Sequence, residues 1–557
     1  MKFGKKEFIS LFLAGMMTAL TVSCGSEKTI SESPSESEPE AEPVILNVKE
    51  GEFMETPDFG IVKAENRREQ SRNTEISASE ITETTTTTII ETTTTTTSSE
   101  IFFETETETD TTTTTTTETE TTTTTTTIPV IDVAQAERGN IYDTNGVVLV
   151  KSEAHGNRQY SRKYGTAFGN IISEVSGGIE YAFNDILSAS DPYSVISSEK
   201  LGKSVQLTLD ADIQNEIYQY MQDMNIIGSV VVLRTDGSVM ADVSYPSFDP
   251  VEYYNNPDYI NTIGYDALEN KSMQKQPPGS CFKIMTEIIA DKHEIYSLYD
   301  DGTWYSDEGI IVDWDHDKNP YYPMERSLYS AFVNSSNIFF AKVFDQLGEE
   351  TVRNDLREMF HFGDGLDIEC DFGTIESSMY ISCMDDLRRS AFGQAYVRTS
   401  PMFLATLCRE AIFGEMVRPF MLQSVIDSSG AQSVISKTSK PYDVITSIPE
   451  NCQQNILDGM YGVGSDLGVY AGPNYTFYAK TGTAETGGSD ILYITGCMKN
   501  INDNTEYYPV YDDYSNYHQN GSYIVVMQMQ NPNDYGFNFS SESAYLYQGI
   551  INILAYQ

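Results

Sequence analysis

Ser280 and Lys283 stand three residues apart at the head of an apolar run, in Pro277-Pro278-Gly279-Ser280-Cys281-Phe282-Lys283. Ile284, Met285, Ile288 and Ile289 continue it with the spacing of a helix that starts near Ser280. One turn apart on one side of such a helix, the amine reaches the hydroxyl. A serine at its ordinary pKa is a poor nucleophile, whereas a lysine kept neutral by burial or by a second cation can take its proton. By itself the pair is weak evidence, since a serine at such a place is more often a helix cap. Ser197/Lys200 and Ser272/Lys275 repeat the spacing without the turn-then-helix setting.

Two further elements change the balance. Ser335-Ser336-Asn337 interrupts two helical runs as a polar turn able to present a hydroxyl and an amide. Lys480-Thr481-Gly482-Thr483 ends an aromatic strand pattern, and its glycine is expected to let a substrate approach the backbone closely. The three elements resemble the trio S-x-x-K, S-D-N and K-T-G found in penicillin-binding proteins and class A β-lactamases.

From about Arg138 onward, some three quarters of its length, the chain resembles class B penicillin-binding proteins, the membrane-tethered D,D-transpeptidases of the bacterial cell wall. Beyond the trio, the resemblance is carried by Arg138-Gly139-Asn140-Ile141-Tyr142-Asp143, Gly178-Ile179-Glu180, Thr208-Leu209-Asp210 with Gln214, and Tyr245-Pro246-Ser247-Phe248-Asp249-Pro250. Gly393-Gln394, Ser400-Pro401 and the extension of the third motif to Glu485 add to it. The resemblance implies an α+β fold: a transpeptidase domain with a mixed sheet and helices around it, preceded by a small module and a disordered tether. It further implies Ser280 as nucleophile, Lys283 as base, Ser335 as proton relay and Asn337 as holder of the substrate amide. Lys480 would supply positive charge, Thr481, Gly482 and Thr483 would line the carboxylate site, and the backbone N–H groups of Ser280 and Thr483 would form the oxyanion hole. Implied partners are peptidoglycan stem peptides on lipid II-derived glycan strands, β-lactams and a cell-wall glycosyltransferase. No cofactor or metal is implied. A carboxypeptidase or β-lactamase would use the same trio, and a penicillin-binding sensor or scaffold would keep the fold without turnover. Cys281 departs from the usual threonine, and 129–200 is too short for a large pedestal.

The elements that must position these residues are readable in outline. Asn145-Gly146 and Asp236-Gly237 mark hairpins, the latter between Val230–Leu233 and Val239–Val243. Val205–Leu209 alternates as a strand, and Asp210 caps a helix with Ile213, Ile217 and Met221 on one face. A predominantly helical middle, roughly 280–415, gives way to strand patterns at Phe477–Thr481, Ile491–Met498 and Tyr523–Gln528 and a closing helix Ala544–Ala555. Strands first and last with helices between imply one sheet made from both ends of the domain. The acidic, tyrosine-rich Asn502–Asn520 reads as a surface insertion.

The 557 residues carry 82 acidic and 35 basic side chains, a net charge of −47, which excludes a general nucleic-acid binder because phosphates would be repelled. Lys2, Lys5 and Lys6 followed by the apolar Phe8–Val22 read as an export signal, short of the ~20 residues a spanning helix needs. Small residues before the lone Cys24 resemble a lipobox, so Cys24 is the expected lipidation site; a short uncleaved anchor is the rival. Either tethers the protein outside the cytoplasmic membrane. Of residues 82–127, 30 are threonine, and 25–128 as a whole has too few apolar groups to offset its chain entropy; it is expected to be a disordered tether. The expected divisions are thus 1–24, 25–128, 129–204 and 205–557. The seven cysteines include no CxxC pair, and five scattered histidines give no zinc pattern. Asp313-Trp314-Asp315-His316-Asp317 opens like a calcium loop, but Lys318 and Met324 replace the glycine and glutamate it requires, leaving an acidic loop.

Overall fold

The apolar runs flanking Asp236-Gly237 pair as a hairpin, β1 (Gly228–Arg234) and β2 (Val239–Tyr245), in the computed structural model of the chain. Gly237 turns it at φ +90°, a conformation glycine adopts without strain. Three strands from the far end complete the sheet: β3 (Tyr475–Ala484), β4 (Ile491–Asn500) and β5 (Tyr523–Met529), in the order β3-β4-β5-β1-β2. Both ends of the domain build it, as expected. Strands β5 and β1 are buried at every residue, which is why they read as continuous apolar runs.

The structure describes residues 58–62, 138–152, 157–173, 177–188, 202–256, 258–306, 309–427, 432–434, 443–502 and 521–555. The export signal, Cys24, the Thr-rich stretch and nearly all of 502–520 lie outside them.

Helix α1 (Ala211–Asp223) begins at Asp210, whose carboxylate accepts from the N–H groups of Asp212 and Ile213. Its Ile213, Ile217 and Met221 are fully buried, as their spacing predicts. Then follow α2 (Lys283–Lys292), α3 (Leu328–Val333), α4 (Asn337–Leu347), α5 (Pro401–Phe413), α6 (Glu450–Leu467) and α7 (Ala544–Ala555). Helix α5 lies across β1, β4 and β5, and meets α2 and α6. Among the described residues, no helix is long and apolar enough to cross a membrane.

Three expectations need correction. The sheet is antiparallel at every pairing, so it is not mixed; the parallel pair, Ile141–Tyr142 beside Ser204–Leu207, belongs to a second sheet. The middle is less helical than its composition implies, because Ser297–Asp300 pairs with Met324–Ser327, and Thr303–Ser306 with Gly309–Val312. Ile368–Cys370 with Gly373–Ile375 and Ser378–Tyr380 with Tyr396–Arg398 add two more ribbons, all too short to show an alternating pattern. Finally, Phe59–Val62 falls inside the expected tether yet pairs antiparallel with Arg158–Ser161, at one edge of that second, seven-stranded sheet. Phe-Gly-Ile-Val is a short apolar run, and a sheet edge offers unpaired backbone groups. Gly60 is required there: a Cβ would sit 2.5 Å from Val251 Cγ2.

The second sheet continues through Val148–Ser152 and, past Ser204–Leu207, into Leu422–Ile426 and Gln432–Val434, so it takes strands from both sides of residue 204. Two sequence elements meet beneath it. Arg138 pairs with Glu180 at 2.8 Å, and the same carboxylate takes Arg158 at 2.9 Å. Their role is structural.

Candidate active site

Gly279–Phe282 is a 3-10 turn that leads directly into α2, so Ser280 sits just before the α-helix rather than within it. Gly279 has φ +53°, and a Cβ on it would lie 2.4 Å from the Thr483 carbonyl oxygen of β3. The turn is therefore pressed against the strand, which sets the backbones of Ser280 and Thr483 side by side. Gly393, at φ +75°, backs the same turn: its Cβ would meet the Gly279 carbonyl at 2.0 Å.

Lys283 is fully buried, with its Nζ 3.0 Å from Ser280 Oγ. It lies 2.7 Å from the Ser335 carbonyl oxygen, 2.8 Å from Asn337 Oδ1 and 3.2 Å from Ser335 Oγ. The two shortest partners are acceptors only, which matches the two N–H bonds of a neutral amine and leaves its lone pair for the Ser280 hydroxyl proton. Burial, and then the Lys480 charge, hold the Lys283 pKa well below the usual lysine value; Asp313 opposes them. The arrangement gives a neutral amine in contact with a half-exposed hydroxyl.

Lys480, also buried, donates to Ser335 Oγ at 3.1 Å and to the Thr481 carbonyl at 3.1 Å. Burial lowers its pKa to about 8. Ser335 Oγ is thus touched by both amines, a placement that requires a left-handed backbone at Ser335, φ +55°. For a non-glycine residue that conformation costs on the order of 1–2 kcal/mol, so the surroundings must hold it. Asn337 donates to the Val312 carbonyl at 3.1 Å while accepting from Lys283, and keeps one further hydrogen and lone pair for a ligand.

Ser280, Ser335, Asn337, Thr481 and Thr483 line one cleft of 710 Å³. Gly482 also serves the fold: a Cβ there would meet Pro278 O at 2.7 Å and Cys281 Sγ at 2.8 Å. It permits the close approach of the protein's own turn. Cys281 is buried, bonded to the Lys480 carbonyl at 3.6 Å and to Thr495 at 3.5 Å, and burial pushes its thiol up to about 11. The Ser272/Lys275 pair is structural, with Ser272 buried against Asn270 at 2.8 Å and Lys275 paired to Glu376 at 2.6 Å. Ser197/Lys200 and Cys24 lie outside the described residues.

Several site residues carry no signal in the sequence. Ser540 bonds Thr483 Oγ1 at 3.0 Å and also the Gly482 carbonyl, steadying the end of β3 from near the C-terminus. Trp314 meets Phe539 edge to face at 5.9 Å beside the cleft. Asp313, Asp300 and Arg326 surround the Ser335–Asn337 turn. Asp313 belongs to the acidic run weighed as a calcium loop, and pattern alone gives no hint that it reaches a helix 24 residues on.

Fold and site together bring a serine hydroxyl and a buried amine into contact at one cleft. The penicillin binding protein transpeptidase domain matches residues 228–542, more than half of the chain. The chain belongs to the family of penicillin binding protein transpeptidases. It is 24% identical over 331 residues to a peptidoglycan D,D-transpeptidase FtsI homolog of Chlorokybus atmophyticus, covering 51% of this chain and 46% of that protein. Against the homolog of the same name from Mesostigma viride it is 24% identical over 417 residues, 63% of this chain and 66% of the other. The chain thus spans between about half and two thirds of these relatives. Among solved structures, penicillin-binding protein A from M. tuberculosis, as an imipenem acyl-enzyme, superposes with a TM-score of 0.63 at 20% identity, over 76% of this chain and 99% of that one. Pseudomonas aeruginosa PBP2, in complex with WCK 5153, gives a TM-score of 0.58 at 19% identity, over 75% and 96%.

Proposed function

We propose that the chain is a serine D,D-transpeptidase that cross-links peptidoglycan stem peptides through an acyl-enzyme on Ser280. The observation that carries this reading is the Ser280–Lys283 contact at 3.0 Å, made by a buried amine whose surroundings favour its neutral form. Lys283 takes the proton as Ser280 Oγ attacks the carbonyl of the penultimate D-Ala. The oxygen's new charge is met by the N–H groups of Ser280 and Thr483, a role supported by the contact of Gly279 with Thr483. Ser335, touching both amines, passes the proton to the leaving nitrogen, and D-Ala departs. An amine of a neighbouring stem then attacks the ester, forms the new amide and returns the hydroxyl to Ser280. Asn337 holds the substrate amide, and Lys480, Thr481 and Thr483 receive its terminal carboxylate.

The partners of Lys283 at the site are Ser280, Ser335 and Asn337, none of them a carboxylate that would activate water. The imipenem acyl-enzyme of the M. tuberculosis relative supports β-lactams as ligands here. The chain works at the outer face of the bacterial membrane, held through lipid on Cys24 or the apolar N-terminal segment, beside a glycosyltransferase that supplies the glycan strands. Divisions at 1–24, 25–128, 129–204 and 205–557 remain the working boundaries, with Phe59–Val62 docked out of the second of them.

Fluorescent penicillin tests the reading. Wild type is expected to carry one covalent label lasting well beyond minutes, and Ser280→Ala none. Equal labelling of the two proteins, or no label on wild type, would overturn it; rapid loss of the label would make it a hydrolase.

A further inference from the structure

Asp313 is 3% exposed, and one of its oxygens accepts from two consecutive N–H groups at the start of α4, Asn337 at 2.6 Å and Ile338 at 3.0 Å. Ser336 Oγ accepts the next, from Phe339, at 3.0 Å. The first three donors of α4 are therefore all satisfied, and the carboxylate lies at the positive end of the helix. The other Asp313 oxygen takes the Tyr322 hydroxyl at 2.9 Å and faces the Arg326 guanidinium at 3.8 Å. Arg326 in turn binds Asp300 at 2.6 Å, and Asp300 accepts from Ser336 Oγ at 3.0 Å. A closed loop of buried charge thus surrounds the one turn whose backbone is strained at Ser335.

Lys283 gains two of its contacts from that turn's side chains and a third from its carbonyl. A shift of α4 by a fraction of an ångström would uncouple them. We propose that Asp313 is a positioning residue for acylation, which holds the Ser335–Asn337 turn against Lys283 and is itself held by Arg326 and Asp300. This rests on the transpeptidase reading above. The acidic run Asp313–Asp317 is then no cation loop: Asp315 accepts from Tyr322 at 2.7 Å and from Asn319 at 3.0 Å, and His316 faces Asp317.

The charge of Asp313 also reaches the amine. The ionisable groups acting on Lys283 are Lys480 from β3, Cys281 from its own turn and Asp313 from this loop, while Ser280, Ser335, Asn337 and the rings of Phe340 and Phe392 are neutral neighbours. Of these, Asp313 and, after it, Cys281 favour the protonated amine; the Cys281 thiol, raised to about 11, carries no charge where Lys283 titrates, which leaves Asp313 as the anion.

The test is the second-order rate of penicillin acylation across pH for wild type, Asp313→Asn and Asp313→Glu. The amide variant is expected to be slower by about 10–100-fold, the range a small misplacement produces. The limb of its profile governed by Lys283 moves to lower pH, because the anion favouring the protonated amine is gone. The glutamate variant keeps the charge, so its limb stays while its rate falls, and it serves as the probe where the amide variant does not fold. A folded Asp313→Asn with the rate and limb of wild type overturns the proposal. A slower rate with an unmoved limb also counts against it, since that is what a merely structural residue would give. If wild type itself is not acylated, the function fails instead. The Lys283 Nζ resonance then still decides: it titrates at lower pH in Asp313→Asn, or Asp313 plays no part.

Discussion

The two walls of the cleft are held by different physics. On the serine wall, the turn at Gly279–Phe282, α2 and β3 meet through apolar side chains and through glycines that let backbones touch: Gly279, Gly393 and Gly482 each face a carbonyl oxygen that a Cβ would strike. Cys281, Phe282, Ile284, Met285 and Ile288 there are fully buried. On the opposite wall, the Ser335–Asn337 turn is fastened by Asp300, Asp313, Arg326 and Tyr322. Apolar burial is non-directional and indifferent to pH. Buried ion networks are directional and fail when one member is lost. The nucleophile is thus set in the pH-insensitive half, and the groups that activate it are adjusted by the charged half. Lys283 and Lys480 are the exceptions, amines that the apolar wall extends to its neighbour.

The comparison breaks most visibly at Lys283. Replacing it with methionine keeps the packing of the serine wall and removes the base. Penicillin acylation should fall by roughly 10²–10⁴-fold, the usual worth of a general base, with little change in melting temperature. Acylation within tenfold of wild type would show that the proton goes elsewhere. The next effect belongs to the other wall. Arg326→Met leaves Asp300 and Asp313 buried without their cation, and breaking a buried ion pair costs about 3–5 kcal/mol. Denaturant unfolding should show that loss, and a loss below about 1 kcal/mol would mean the network relaxes into water.

How well each wall can be read from the sequence follows from the same division. Periodic apolar residues announce α2, and the runs of β3, β4 and β5 come within a few residues of their ends, because burial repeats along the chain. Ser280, Lys283, Ser335, Asn337 and Lys480 were legible as motifs, and the structure gathers their side chains around Lys283 and Ser335 Oγ. The support of Ser335 was not legible. Asp300, Asp313 and Arg326 come from the short ribbons between α2 and α3, where a carboxylate looks like any surface acid until the fold closes over it. Gly482 signals close approach in the sequence, but a glycine does not say which backbone it admits, and in the fold the turn at Pro278 is one such neighbour. Phe59–Val62 escaped because four apolar residues within a long polar stretch acquire meaning only beside a sheet edge.

Two smaller effects sharpen the contrast. Lys480 has its pKa lowered to about 8 in the fold, against 10.5 when exposed. Between these values the unfolded chain binds the extra proton, so this group's contribution to stability rises with pH across that window; below it the full penalty of a buried cation persists. Relative to Lys480→Met, wild type should therefore gain stability between pH 7.5 and 10, on the order of 3 kcal/mol at most. Denaturation midpoints of the pair at the two pH values measure it, and a constant difference would contradict the assigned burial. The smallest change is expected at Cys281, beside the nucleophile in sequence but turned into the apolar wall, where its thiol is raised to about 11 and has the Lys480 carbonyl and Thr495 for partners. A threonine hydroxyl is near its size and can use the same two partners. Cys281→Thr should thus alter stability by less than about 1.5 kcal/mol and leave the acylation rate and its pH profile as they are. A shifted profile would mean that the serine wall is not electrostatically silent, and the division between the two walls would have to be redrawn around residue 281.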